Sequence, residues 1–323
     1  MNDIPPSTPI SLRKKNPHIA ILMATYNGGE FLQSQLSSIA KQNYKNWSIL
    51  ASDDGSTDDT KKQLEEFSDR GQPLIKLDGP RNGGTENFLS LLGVMGKYLP
   101  EDSWVAFSDQ DDVWLPDRLS RGVDFLSNLP DDRPALYCSR TLITNRLLQK
   151  RRLSPPRPRP PSFENSLVQN IASGNTILLN TSGAKLLRST RDEVEKVLIH
   201  DWWAYQIVSG AGGYVLHDDQ PTLLYRQHGG NQIGSNDALS AKANRLAALL
   251  RGDFREWIDL NLSSLQAAHH RLTKRNREIL DEFSSSRKKS LPQRLSMISR
   301  LGLYRQSRSS TAALYISAAL RRL

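Results

Sequence analysis

The sequence predicts an α/β fold built on a parallel sheet, followed by a helical C-terminal extension. Three observations carry this expectation. Short apolar runs alternate with stretches of helical spacing over about the first 125 residues, the signature of a parallel α/β sheet. Polar clusters end the first, second and fourth of those runs, where open α/β sheets place their ligands. The last quarter of the chain is rich in Arg and Lys with intermittent Leu, Ile and Ala.

The elements follow in order. Residues 18–23 (HIAILM) form the first strand and end in Thr25-Tyr26-Asn27-Gly28-Gly29. A helix over 30–41 places Phe31, Leu32, Gln35, Leu36 and Ile39 near helical spacing. Residues 47–51 form a second strand, broken by Ser52-Asp53-Asp54-Gly55-Ser56. A helix over 57–67 opens with acidic residues, which suit its N-terminus. Residues 74–77 are a third strand, and Thr85 is positioned to cap a helix over 86–98. Residues 104–108 form a fourth strand that ends in Asp109-Gln110-Asp111-Asp112.

Beyond these, residues 154–161 read SPPRPRPP, with five prolines in eight positions, and are expected to be an extended loop. Residues 171–179 read as a strand led by a Gly turn, 200–209 as a helix, and 212–217 and 221–227 as two short strands closed by His228-Gly229-Gly230-Asn231. Helices are expected over 238–250, 254–283, 291–304 and 311–322.

The 323 residues are 37% hydrophobic and 24% charged, which excludes full disorder, collagen and a disulfide miniprotein. Cys138 is the one cysteine, so neither an intramolecular disulfide nor a Cys-based zinc site is available, which fits a reducing cytosol. No run of 18 apolar residues occurs, so no ordinary membrane-spanning helix is expected. Charge is uneven: residues 238–323 hold 17 basic and 6 acidic residues, whereas 1–237 hold 26 and 28. Such a tail is expected to meet an anionic surface, either membrane or nucleic acid. Its aromatics are too sparse for a nucleic-acid stacking platform, and the membrane is the expected partner; the alternative is that these helices pack on the catalytic domain or on a second subunit and leave the Arg and Lys in water. Neither GxGxxG nor GxxxxGK[ST] occurs.

Four constellations carry candidate chemistry. An acid at Asp53, ending a buried strand, can accept hydrogen bonds from a ribose or base edge; the same residues also suit a helix cap and turn. Asp109, Asp111 and Asp112 repel one another unless a cation sits among them, and Mg²⁺ or Mn²⁺ with substrate phosphates is the usual solution. Asp201, beside Trp202 and Trp203, can be desolvated as a general base needs, with the tryptophans stacking on a sugar or simply filling the core. His228, followed by two glycines, allows close approach of a metal or phosphate.

With these residues in view, the chain resembles a family 2 glycosyltransferase of the GT-A fold. The stretch ATYNGGEFLQSQLSSIAKQNYKNWSILASDDGSTDDT resembles the nucleotide-binding half, and FSDQDDVWLPDRL the metal-binding DxD element. HDWWAYQIV and LYRQHGGN resemble the base-bearing and terminal-histidine motifs of the rhamnosyltransferase-like subgroup. The resemblance covers roughly residues 18–236, with four motifs in order. It implies a mixed, mostly parallel sheet flanked by helices, with a catalytic domain over 18–236: a nucleotide-binding half over 18–112 and an acceptor-side half over 113–236 that carries the Pro-rich loop 153–161. Residues 1–17 are then a disordered N-terminal segment and 237–323 a basic helical tail.

The resemblance also implies roles. Thr25, Tyr26 and Asn27 begin the nucleotide pocket; Asp53 contacts base or ribose and Asp54 supports the loop. Asp109 and Asp111 form the DxD element, with Asp111 the direct metal ligand, and His228 reaches the metal or diphosphate. Gly174 and Asn175 belong to a loop facing donor and acceptor, and Asp201 is the catalytic base. One departure is His200, where this fold often has Glu before the base. The implied activity is an inverting, Mg²⁺- or Mn²⁺-dependent transfer from a nucleoside diphosphate sugar, with dTDP-L-rhamnose favoured, to a saccharide or lipid-linked acceptor. The implied location is the cytoplasm, peripheral on the inner face of the cytoplasmic membrane. The alternatives are a UDP-hexose donor, or a non-catalytic nucleotide-sugar-binding protein.

Overall fold

A computed structural model describes residues 16–229 and 253–323. The expected disordered segment (but for its last two residues), the helix over 238–250 and Gly230-Asn231 lie outside the described residues.

The first half alternates as the sequence predicts: β1 (Ile19–Thr25), α1 (Gly29–Ala40), β2 (Trp47–Asp53), α2 (Thr60–Asp69), β3 (Leu74–Asp78), α3 (Gly84–Val94) and β4 (Trp104–Ser108). β1 pairs in parallel with β2 and β4, and β2 with β3. Strands buried on both faces read as continuous apolar runs, which is why β1 and β2 were legible. Their side chains alternate between two cores. Leu22 and Leu50 face α3, while Ile21 and Ile49 face α1 and α2. Helix α1 sends Leu32, Leu36 and Ile39 into that second core.

The second half departs from expectation in several places. β5 (Val113–Trp114), α4 (Arg118–Leu126), β6 (Ala135–Asn145), β7 (Arg151–Leu153), α5 (Phe163–Ser166) and α6 (Thr181–Arg191) were not predicted. The strand expected over 171–179 shrinks to β8 (Leu178–Leu179), behind a 3₁₀ turn at Gly174–Thr176. The two strands expected over 212–217 and 221–227 are one, β9 (Tyr214–Gln227), with an irregularity where Arg140 of β6 meets Pro221. A bulge tolerates the proline that suggested a break. Thr85 is not a cap: Gly83 precedes α3 and Thr85 lies within it. The predicted helix over 200–209 is α7 (His200–Gly210).

Among the described residues the sheet has nine strands in the order β3-β2-β1-β4-β8-β6-β9-β5, with β7 beside β6. Pairing is parallel at β6/β9 and antiparallel at β4/β8, β6/β8, β5/β9 and β6/β7.

The C-terminal helices are Asp253–Ala267, Lys274–Ser286, Leu291–Arg300 and Arg308–Ala319. The expected helix over 254–283 is therefore two, separated by a 3₁₀ turn at His269–Arg271, with Thr273 capping the second through Asn276 N–H. These helices are not an appendage. Ile258, Leu265, Leu280, Phe283, Met297, Ile298 and Leu314 are buried in the same core as Trp203 and Ile207 of α7. Asn276 Nδ2 donates to Gly210 O at 2.8 Å, and Ser264 Oγ to Lys196 O at 2.6 Å. The Pro-rich loop is clasped by the same region: Arg159 N–H donates to Gln306 Oε1 at 3.0 Å, and Gln306 Nε2 to Arg159 O at 3.1 Å. Among the described residues no helix is long and apolar enough to cross a membrane.

Candidate active site

The site candidates gather beyond the carboxyl ends of β1, β2 and β4, with the N-terminus of α7 and the end of β9 brought beside them. On the first side, Thr25 ends β1 and donates through Oγ1 to Asp53 Oδ1 at 3.1 Å. Tyr26 and Asn27 are exposed. Asn27 has φ +47°, a left-handed conformation that Asn tolerates. Its N–H donates to Ser56 Oγ at 2.8 Å, and its Oδ1 accepts Thr57 N–H at 2.9 Å. Gln110, between Asp109 and Asp111 in the acidic run and not expected in the site, grips Tyr26 twice. Its Oε1 accepts Tyr26 N–H at 2.8 Å and its Nε2 donates to Tyr26 O at 2.9 Å. A Cβ at Gly28 would stand 2.2 Å from that Oε1, which accounts for the glycine.

Asp53 is buried and turned inward. Besides Thr25 it accepts Ser56 Oγ at 2.5 Å, Ser56 N–H at 2.9 Å and Gly55 N–H at 3.3 Å, and Lys61 Nζ lies 3.6 Å away. Asp54 accepts the N–H groups of Arg81 at 2.6 Å and Gly83 at 2.9 Å. Both carboxylates thus organise loops, and the open surface here belongs to Tyr26 and Asn27.

The acidic run divides by orientation. Asp112 is fully buried; it accepts Asn175 Nδ2 at 2.6 Å and Arg226 N–H at 3.3 Å, and burial holds its carboxyl well above the usual range. Asp109 is half-buried and pushed up to about 7, by burial first and then by the charges of Asp111 and Asp201. That repulsion places Asp201, distant in sequence, in the same electrostatic neighbourhood. Asp111 Oδ2 lies 2.7 Å from His228 Nε2. Arg226, also unforeseen, donates from Nε to Asp111 O at 2.8 Å, and both its guanidinium and the His228 ring stand 4.6 Å from the Phe31 ring.

Asp201 sits in the first turn of α7, where the helix dipole favours an anion. Its Oδ2 accepts Gly174 N–H at 2.9 Å and its Oδ1 accepts Asn170 Nδ2 at 3.0 Å. Burial nevertheless pushes it up to about 6, the hydrogen bonds working against the rise. Gly174 and Asn175 therefore act on carboxylates: the first holds Asp201, the second Asp112. Asn175 O in turn accepts Arg118 NH2 at 2.8 Å. Arg118 is buried with its guanidinium 3.6 Å from the Trp114 ring; it falls within the stretch FSDQDDVWLPDRL, but its carbonyl acceptors leave no pattern in the sequence. Trp202 and Trp203 are core residues, not a sugar platform; Trp202 Nε1 donates to Ser166 O at 2.7 Å. His200 is buried between Phe88 and Phe107, which pushes it down to about 3 and keeps it neutral.

No group of three or more His, Cys, Asp or Glu side chains forms a ready metal cage among the described residues. The Asp111–His228 pair with Asp109 beside it is instead an open, oxygen- and nitrogen-donor set. Mg²⁺ is commonly held by one or two carboxylates plus substrate phosphates, so the residues present fit such an ion.

The profile of Glycosyl transferase family 2 matches residues 20–182, half of the chain. The chain belongs to this family. Glycosyl transferase family 2 membership agrees with the mixed sheet of the GT-A type, and glycosyl transfer is the activity it supports. The chain is 29% identical over 244 residues to the dTDP-rhamnosyl transferase RfbG of Shigella flexneri, covering 69% of this chain and 78% of that protein. It is 28% identical over 127 residues to the Escherichia coli enzyme WfgD, a UDP-Glc:alpha-D-GlcNAc-diphosphoundecaprenol beta-1,3-glucosyltransferase, covering 39% of this chain and 47% of that one. Among solved structures, residues 1–349 of S. aureus TarS superpose with TM-score 0.54 at 15% identity, covering 94% of this chain and 88% of that one. That likeness is one of fold.

Proposed function

We propose that this family 2 glycosyltransferase moves a sugar from a nucleoside diphosphate donor to an acceptor hydroxyl with inversion, using Asp201 as general base. The observation that carries the reading is that two consecutive residues tie Asp201 to the acidic turn: Gly174 N–H donates to Asp201 at 2.9 Å and Asn175 Nδ2 to Asp112 at 2.6 Å. One carboxylate, on a helix, is tuned to about 6; two others form an open cation-binding turn. A base with a pKa near 6 is ionised at neutral pH yet basic enough to take a proton as the acceptor oxygen attacks. A single displacement needs no enzyme nucleophile, and the Asn170 and Gly174 donors, one on each oxygen, hold the Asp201 carboxylate in place with lone pairs left for the acceptor proton.

Tyr26 and Asn27 present the open edge of the nucleotide pocket, with Thr25, Asp53 and Asp54 shaping it from below. Asp111, Asp109 and His228 would hold Mg²⁺ or Mn²⁺, whose chemistry is to offset the charge on the departing diphosphate. Gly174 and Asn170 fix the direction of the Asp201 lone pairs, and Asn175 keeps Asp112 out of the open site.

dTDP-L-rhamnose is the donor we favour, supported by the relative that covers most of the chain. A UDP-hexose donor is the second reading, supported by the shorter match to the UDP-Glc enzyme. The acceptor we assign is a saccharide or lipid-linked saccharide in surface polysaccharide synthesis. A donor screen that detects released nucleoside diphosphate, with Mg²⁺ or Mn²⁺ and a mixed acceptor pool, separates these. Turnover with UDP-hexoses and none with the rhamnose donor selects the second; no release with any donor counts against catalysis.

We assign the tail an anionic membrane surface. Residues 283–323 contain nine Lys or Arg and no Asp or Glu. Arg294, itself buried, donates to Lys289 O at 2.7 Å, Ala318 O at 2.8 Å and Ala319 O at 3.1 Å, so two exposed turns adjoin. They carry Lys288, Lys289 and Arg321 beside exposed Leu291 and Leu320, and Ile316 is exposed one turn earlier. Basic and apolar groups together suit reversible attachment to the inner face of the cytoplasmic membrane.

A further inference from the structure

Midway along the proline-rich loop, Arg157 is half-buried and has no hydrogen bond or ion pair with any described residue. The loop around it is anchored at both ends. Ser154 N–H donates to Thr141 O at 2.9 Å, and Arg140 Nε donates to Ser154 O at 2.9 Å. At the far end Arg159 is gripped by Gln306, its guanidinium stands 3.8 Å from the Tyr304 ring, and Tyr304 OH donates to Pro160 O. Pro155, Pro156 and Pro158 fix φ in between. The ordering cost of this strap is met by folding, and it holds Arg157 without a counter-charge among the described residues, while the Arg159 guanidinium is stacked on Tyr304.

The surroundings are positive. Cys138 and Arg140 lie two apart on β6 and so share a face, and His217 of β9 is in register with Cys138. Arg140 and Arg157 repel each other, and burial together with both guanidinium groups pushes His217 down to about 4. Of the nearby acids, Asp218 is held by Arg121 and Tyr137 and Glu164 pairs with Arg275 at 3.1 Å, whereas the exposed Asp219 stands 3.9 Å from His217 Nδ1 and is, among the described residues, the one carboxylate against this group. A partly desolvated charge with no counter-charge is costly, and an anion from outside relieves that cost.

We propose that Arg157, with Arg140 and the imidazole of His217, forms an anion site that takes a phosphate group of the acceptor, the chemistry of a sugar linked to a polyprenyl diphosphate. The proposal rests on the reading of Asp201 as the acceptor-side base. Chain continuity supports the link. From Arg157 the chain runs through Ser162, bound to Tyr205 OH of α7, to Asn170 and Gly174, which hold Asp201. Tyr205 lies about one helical turn after Asp201, so one rigid frame carries both groups.

The test uses the full chain and its Arg157→Gln and Arg157→Lys variants, with thermal melts as a folding control. Calorimetry measures binding of a short-chain polyprenyl diphosphate sugar, the same sugar as a neutral alkyl glycoside, inorganic diphosphate and a nucleoside diphosphate. The wild type is expected to bind the diphosphate-linked sugar at least about tenfold tighter than the neutral glycoside, the scale of one charge-assisted contact. Arg157→Gln is expected to erase that preference, Arg157→Lys to keep part of it, and nucleoside diphosphate affinity to stay unchanged in both. Inorganic diphosphate displacing the linked sugar from the wild type, but not altering its residual binding to Arg157→Gln, supports a site for the phosphate itself; absence of such competition overturns it. A preference that survives Arg157→Gln also overturns the proposal. Failure of the wild type to bind nucleoside diphosphate counts against the acidic-turn reading and leaves the Arg157 comparison intact.

Discussion

The backbone N–H of Gly174 donates to Oδ2 of Asp201 at 2.9 Å, and a Cβ on that glycine would stand 2.8 Å from Nε2 of the buried His200. The loop and the helix therefore fit each other only with glycine at this position. Gly174→Ala is expected to displace the N–H and tilt the carboxylate, lowering turnover by about ten- to a hundredfold, since misplacement by about 1 Å has that effect. Nucleoside diphosphate affinity, read by calorimetry, is expected to hold. Unchanged turnover would remove Gly174 from the positioning of Asp201.

Activity is expected to follow the ionisation of Asp201. Its pKa is raised to about 6 in the folded chain, chiefly by burial, so the base is protonated and idle below that pH and ionised above it. The profile of kcat/KM should fall about tenfold per unit below pH 6 and level off above it. Asn170 donates to the charged carboxylate, so Asn170→Leu removes a force that lowers the pKa, and the acid limb should move to higher pH. A limb that stays in place or moves to lower pH contradicts this assignment.

Asp111→Asn is expected to remove transfer while the fold stays intact, because the side chain lies at the open end of the acidic turn with His228 as its partner. The loss should reach about a hundredfold or more, the range that several kcal/mol of charge stabilisation represents. Excess EDTA should reproduce it in the wild type and Mg²⁺ or Mn²⁺ restore it. Full activity in EDTA would remove the metal from the account.

Anionic liposomes are expected to sediment the full chain at low salt and release it at high salt, because the attraction is largely electrostatic. The comparison is a chain with Lys288→Glu, Lys289→Glu and Arg321→Glu, three exposed positions. Truncation is the wrong comparison, since the tail helices share the core with α7. Equal sedimentation of both chains would take this face out of the membrane argument.

Much of the first half was legible from sequence because its strands are buried on both faces and end abruptly in polar residues. β6 escaped for the opposite reason. Its sequence ALYCSRTLITN mixes Ser139, Arg140, Thr141 and Thr144 into the apolar positions, and its strand state is set by pairing with β7, β8 and β9. The candidate residues were marked by motif, but their orientation was not. Asp53 points inward because N–H donors of its own turn meet it there, and Asp112 and Asn175 point inward because they meet each other across 63 residues of chain. The tail's helical spacing showed that it had an apolar side. It did not show that Phe283 and Ile298 join the core that also holds Trp203 and Ile207 of α7.

The central claim is that Asp201 takes the acceptor proton. It is tested most directly by acceptor-dependent nucleoside diphosphate release from the wild type and Asp201→Asn, with donor affinity measured on both by calorimetry. The account predicts a fall in turnover of about 10²–10⁴ with donor affinity unchanged, the usual contribution of a general base. Turnover within about twofold of the wild type would contradict it, since a tenfold effect already corresponds to only about 1.4 kcal/mol.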